Sequence, residues 1–156
     1  MTSLLLLLLT FLGFPQTSTV HYRQHGPALL PDPVATPGKA RTTDKNDPVV
    51  CGGVSTKTVR QPGIQSVYKT YGATHKPGVC CEIDHLISLE LGGDNVVANE
   101  WPQPYEPRPG AHEKDAVENW LHKQVCLGKM SLPDAQKQIS TDWYVVYLTM
   151  QSQEKK

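Results

Sequence analysis

The chain has 156 residues, which fits one small domain, and its formal charge is zero, with 15 Lys and Arg against 15 Asp and Glu. That balance argues against a globally basic nucleic-acid binder. It hides an asymmetry, however: His21 to Cys81 carries 8 Lys/Arg and 3 Asp, whereas Glu82 to Lys156 carries 7 Lys/Arg and 12 Asp/Glu. A basic half beside an acidic half suits a surface that meets phosphate next to a pocket that holds a cation, although a chance split of solvated side chains gives the same count.

The first element is the apolar run Leu4–Leu9 with Phe11, Leu12 and Phe14, followed by small and polar residues from Pro15 to Val20. It is too short to span a bilayer comfortably and has the length of a signal-peptide core, so residues 1–20 are expected to be a signal peptide and the chain to be secreted or periplasmic. Its weak point is the lack of Lys or Arg ahead of the leucines. Residues 21–50 are rich in Pro, Gly and Thr and read as an extended arm or linker. The folded domain is expected over 51–151, with a polar tail at 152–156.

Within that domain, Ser55–Arg60 reads as a short strand or extended segment ended by Pro62-Gly63. Ile64, Val67, Tyr68 and Tyr71 then fall on one helical face, and Gly72 is a natural stop. Ile83, Ile87, Leu89 and Leu91 predict a strand over 81–91, Gly92-Gly93-Asp94-Asn95 a turn, and Val96–Trp101 a second strand. Pro102, Pro104, Pro107 and Pro109 predict an irregular loop. Two helices close the chain. The first, Ala111–Leu127, has Val117, Trp120, Leu121 and Val125 on one face. The second starts at a Ser131 cap and carries Ala135, Ile139, Trp143, Val146, Tyr147 and Met150. The fold class is therefore α+β.

Export makes Cys51, Cys80, Cys81 and Cys126 disulfide candidates. Neighbouring Cys80 and Cys81 are poor partners for each other on geometric grounds, so Cys126 is expected to bond Cys51 or one of that pair. The spacing is not the paired CxxC of a structural zinc site.

The residues with chemistry are Asp84 and His85 in the first strand, Asn99 fourteen residues beyond His85, and His112 at a helix start. A carboxylate next to an imidazole is a poor arrangement for a core. Alternation sends strand neighbours to opposite faces unless the strand ends or bends there, and near such a bend both can serve one site. Asp84 is then a hard oxygen ligand, and His85 titrates where it can take a proton from water near neutrality.

The stretch Glu82-Ile83-Asp84-His85-Leu86-Ile87-Ser88-Leu89-Glu90-Leu91-Gly92-Gly93 resembles bacterial HNH endonucleases. So do Asn99-Glu100-Trp101-Pro102-Gln103, His112-Glu113-Lys114-Asp115 with Glu118, Val125-Cys126, and Asp134-Ala135-Gln136 with Asp142-Trp143. The resemblance implies a ββα-metal finger, a short hairpin plus helix with flanking helices. In it, His85 activates water, Asp84 and a helix residue such as His112 hold a divalent ion, and Asn99 supports the loop and orients the histidine. The ion implied is Mg²⁺, with Mn²⁺ or Zn²⁺ as alternatives. Cys51 with Cys126 is the pairing that fits the family context. The chain departs from the pattern at Ala111, at the inserted Tyr105–Gly110, and at Glu100, where an apolar residue is usual.

The implied activity is hydrolysis of phosphodiester bonds in DNA or RNA by a monomer, leaving a 5′ phosphate. Lys114 and Arg108 are candidates for phosphate contacts, or else ordinary solvated charges. His122 is expected at the surface. The competing expectation is a non-catalytic, disulfide-stabilised secreted module that binds nucleic acid or metal through the same finger.

Overall fold

Turn residues and apolar stripes fix where the elements fall in the computed structural model, which describes residues 22–72 and 80–154. The expected signal peptide, His21, His75 and the last two residues lie outside the described residues. Arg23–His25 (β1) and Ala28–Leu30 (β2) pair as an antiparallel hairpin. A helix, α1, spans Ile64–Thr70. Cys81–His85 (β3) pairs antiparallel with Glu100–Pro104 (β4). Ala111–Cys126 (α2) and Leu132–Glu154 (α3) follow. The architecture is α+β, two small antiparallel hairpins with three helices.

The stretch expected to be an arm does more than connect. Ala28 and Leu30 of β2, and Val50, are buried against Val117, Leu121 and Val125 of α2 and Ile139, Trp143, Val146 and Met150 of α3. Each Val, Leu, Ile or Met side chain among them contributes about 1.5–3 kcal/mol on burial. A second cluster forms around Val67, Tyr71, Leu86 and Trp101. The helical stripes read from the sequence are the buried faces, except that Ile64 is exposed and Trp120 and Tyr147 are only partly covered.

The expected strand over 81–91 stops at His85. Leu89–Leu91 forms a 3-10 turn instead, and the second strand runs Glu100–Pro104 rather than Val96–Trp101, after a 3-10 turn at Val97–Asn99. Prolines 102 and 104, expected in a loop, are strand residues; a two-stranded sheet has edges on which a missing N–H is tolerated. The Ser55–Arg60 segment is irregular. The glycine turn is required in its position: Gly92 has φ +72°, and a Cβ at Gly93 would lie 1.9 Å from the Ile87 carbonyl oxygen.

Ser131 caps α3 as expected, its Oγ accepting from the Asp134 N–H at 3.2 Å. The helix is interrupted at Asp142, where φ is −164° and ψ 92°. Asp142 acts as the N-cap of the second, C-terminal segment of α3, Oδ1 accepting from the N–H groups of Tyr144 (3.1 Å) and Val145 (3.2 Å). Its other oxygen meets His25 Nδ1 at 2.6 Å, tying β1 to the break.

Cys51 and Cys126 form a disulfide, the pairing the family context favours. Cys80 and Cys81 are bonded to each other, against the expectation from geometry. With Cys51 and Cys126 taken, each has only its neighbour left as a partner among the four cysteines.

Candidate active site

His85 is the last residue of β3, so its side chain leaves the hairpin where the pairing ends. The register sets it across from Glu100, and cross-strand partners share a face. His85 is 7% exposed and Glu100 1%. The ring Nε2 lies 3.0 Å from Asn95 Oδ1 and 3.5 Å from Glu100 Oε1. Asn95 is itself oriented, because its Nδ2 donates to the Arg60 carbonyl at 2.9 Å, which leaves Oδ1 as the atom facing the imidazole. Nε2 therefore carries the proton, and Nδ1 is the basic nitrogen. Burial is the main cause that holds the His85 imidazolium below its ordinary range, partly opposed by the Asn95 hydrogen bond.

Asn99 is fully buried and works on the backbone. Its Oδ1 accepts from the N–H of Ile87 (3.0 Å) and of Lys39 (3.2 Å), and its Nδ2 donates to the carbonyls of Ile87 and Asp94, both at 2.9 Å. It thus joins three chain segments behind the site. The ring of His85 is held by Asn95 and not by Asn99.

Asp84 points to the other face of β3, toward α2. Lys114, 0% exposed, donates from Nζ to Asp84 Oδ2 at 2.6 Å and to the His85 carbonyl at 2.7 Å, and pairs with Glu118 one turn along the helix. A side chain expected to reach phosphate is sealed against the site carboxylates instead. Burial works against its ammonium, but Asp84 and Glu118 outweigh that and keep it charged. Glu118 is pushed up by burial, with Lys114 opposing. Asp115 and Glu82 are also pushed up, each first by burial and then by Asp84. The carboxylates outnumber the one buried ammonium.

These groups open onto a cleft of about 530 Å³, with Thr56, Lys57 and Gln61 on one wall and Asp84, His85, Asp115 and Glu118 on the other. Gln61 Nε2 donates to the Ile83 carbonyl at 2.5 Å, fixing the first wall to β3. Lys57 brings a cation from the basic half of the sequence to the acidic pocket.

His112 is exposed, its ring 5.1 Å from that of Tyr105. Arg108 pairs with Glu113 at 3.2 Å at the surface. Glu113 Oε2 accepts the Gly110 N–H at 2.7 Å and so caps α2. No family model, curated protein or solved structure matches the chain. The site stands on its own geometry.

Among the described residues, the one group of three metal-type ligands with donor atoms within 4.8 Å of one another is Cys51, His122 and Cys126. His85 is not one of its members, and two of them are joined in the disulfide. The Asp84 cleft offers hard oxygen donors: Asp84 Oδ1, which accepts no hydrogen bond among the described residues, and Asp115. Burial first, and then the Asp84 charge, raises the proton affinity of Asp115 and Glu82, and among the described residues the cleft carboxylates do not bring three donor atoms together as the Cys51 corner does.

Sequence reasoning missed Asn95 as the residue that fixes the histidine tautomer, and no local signal marks it. It gave Lys114 a phosphate contact and Glu118 no role of its own, and did not pair the two. Their i, i+4 spacing on a predicted helix was the available signal. Glu100 stood out as a departure from the family pattern, and the structure places it directly behind His85.

Proposed function

We propose that the chain is an exported, metal-dependent endonuclease that hydrolyses phosphodiester bonds, with DNA as the first candidate substrate, on a ββα-metal finger formed by β3, β4 and α2. The observation that carries this reading is the buried His85, its tautomer fixed by Asn95, beside Asp84 at the mouth of a cleft that also receives Lys57. His85 Nδ1 takes a proton from water. The resulting hydroxide attacks the phosphorus, and the bond to the leaving oxygen breaks. Asp84 would hold the ion, with Asp115 on the same cleft as a second oxygen donor and His112 as the alternative on the helix. When bound, the ion supplies charge stabilisation for the transition state and the leaving oxygen. Lys57 meets a substrate phosphate. The disulfides, and the lack among the described residues of a helix long and apolar enough to cross a membrane, accord with export.

One observation favours a second reading. Lys114 already supplies a cation to Asp84, so the finger would bind nucleic acid without hydrolysing it. Plasmid DNA and RNA digested with metal-stripped protein, then with Mg²⁺, Mn²⁺ or Zn²⁺ added, separate the two. The nuclease reading expects metal-dependent cleavage that His85→Ala reduces by about 10²–10⁴-fold. It expects Asp84→Ala to be partly rescued by high metal. Binding without cleavage under every ion supports the second reading and ends the first.

A further inference from the structure

The corner where α2 ends contains a group that the proposed nuclease chemistry does not use. His122 and Cys126 are one turn apart on the same face of α2, and Cys51 reaches them from the segment that precedes α1. Cys126 Sγ lies 3.5 Å from His122 Nε2. Both sulfurs and that nitrogen fall within 4.8 Å of one another. The imidazole is turned inward, with Nε2 against the Val50 carbonyl and the sulfur. Cys51 and Cys126 are exposed, and an adjoining cleft of about 390 Å³ brings Glu90 and solvent to the same place.

We propose that this corner is a two-state clasp, a disulfide when oxidised and a Zn²⁺ site formed by Cys51, Cys126 and His122 when reduced. Tetrahedral zinc with bonds of about 2.3 Å to sulfur and about 2.0–2.1 Å to nitrogen places S and N about 3.5 Å apart and the two sulfurs about 3.8 Å apart. The sulfur–nitrogen separation already has that value. The two bonded sulfurs need to separate, and His122 Nε2 must give up its contact with the Val50 carbonyl. Thiolates and imidazole select zinc over Mg²⁺, so this site and the oxygen-lined cleft at Asp84 take different ions. Water from the adjoining cleft supplies the fourth ligand.

The chemistry balances with a dithiol as reductant. It gives two electrons to the Cys51–Cys126 bond and leaves as its own disulfide, while its two protons go to the separated sulfurs. Zn²⁺ then displaces both thiol protons to solvent, and the imidazole proton moves from Nε2 to Nδ1. Oxidised or reduced, the same two segments stay joined.

The test uses the exported chain with Cys80→Ser and Cys81→Ser, so that Cys51 and Cys126 are its only thiols. The protein is reduced, exchanged into metal-free buffer without oxygen, and titrated with Co²⁺ and then Zn²⁺. One equivalent of Co²⁺ is expected to bind with thiolate-to-cobalt charge-transfer absorption, and Zn²⁺ is expected to displace it and raise the Tm of the reduced chain. That absorption reports sulfur ligation, so ions at Asp84 do not register. The oxidised chain should show no such absorption, and its rise in Tm with Zn²⁺, which includes any ion at Asp84, is the baseline that the reduced chain must exceed; His122→Ala should weaken uptake by at least about tenfold. Any of three results overturns the proposal: no charge-transfer absorption on reduction, uptake by His122→Ala equal to that of its parent, or uptake with no rise in Tm beyond that baseline, which is chelation by an unfolded chain.

Discussion

Burial lowers the proton affinity of the His85 imidazole, so its basic form persists to more acid pH than that of an exposed histidine. If His85 is the base, turnover is expected to reach its plateau at a more acid pH than an exposed histidine would give, as a pH series of plasmid-nicking rates would show. A plateau reached only on the alkaline side would point to another group. Glu100 behaves in the opposite sense. Its carboxylate is buried, both oxygens lack a hydrogen-bond partner, and burial pushes its proton affinity up. A carboxyl whose folded value lies above its unfolded value favours folding most at acid pH. That contribution is lost as pH climbs through the ordinary Glu range toward the raised value. Glu100→Leu is therefore expected to be more stable than the parent at neutral pH by about 1–3 kcal/mol, with the gap closing in acid. Denaturant melts at the two pH values measure this. A less stable variant at neutral pH would show instead that an ionised Glu100 pairs with protonated His85 across their 3.5 Å.

At the scale of elements, α2 is fastened to β3 by one side chain, Lys114, which reaches both Asp84 and the backbone of His85. Lys114→Met strands two partly buried carboxylates, and a loss of about 3–5 kcal/mol is expected. Adding Glu118→Gln should recover part of it, so a double-mutant cycle by chemical denaturation should show clear coupling. This fastening was only half legible in the sequence. Helical periodicity located α1, α2 and α3 because apolar stripes at 3.6-residue spacing are set by the element itself. Asp84-His85 was legible because those two residue types are out of place in a core. The strand ends were not, since Ile87, Leu89 and Leu91 alternate like a strand while packing from a loop and a 3-10 turn. Nor was the break at Asp142, whose capping bonds sit inside an unbroken apolar stripe. Asn95 and Glu100 reach His85 through tertiary placement and cross-strand register, which no local pattern encodes.

For the whole molecule, the Cys51–Cys126 bridge closes a long loop, with a sequence separation of 75, and ties the early segment to the end of α2. Cys126→Ser should cost about 2–5 kcal/mol in the oxidised protein. Cys80→Ser with Cys81→Ser should cost far less, because bonding adjacent residues removes little chain entropy from the unfolded state. Thermal melts of the two variants side by side test that contrast. The early hairpin is also bound to the last helix. The Trp143 indole donates to the Leu29 carbonyl across 114 residues, and His25 meets Asp142 across 117. Contacts this distant set the order in which a newly made chain folds. β2 leaves the ribosome early, but the helices that cover Ala28 and Leu30, α2 and then α3, are made last, so the growing chain carries these apolar residues uncovered through most of its synthesis. A copy halted ahead of α3 lacks the helix that closes the core beneath α2, and with it the rigid support on which Lys114 holds Asp84 in place.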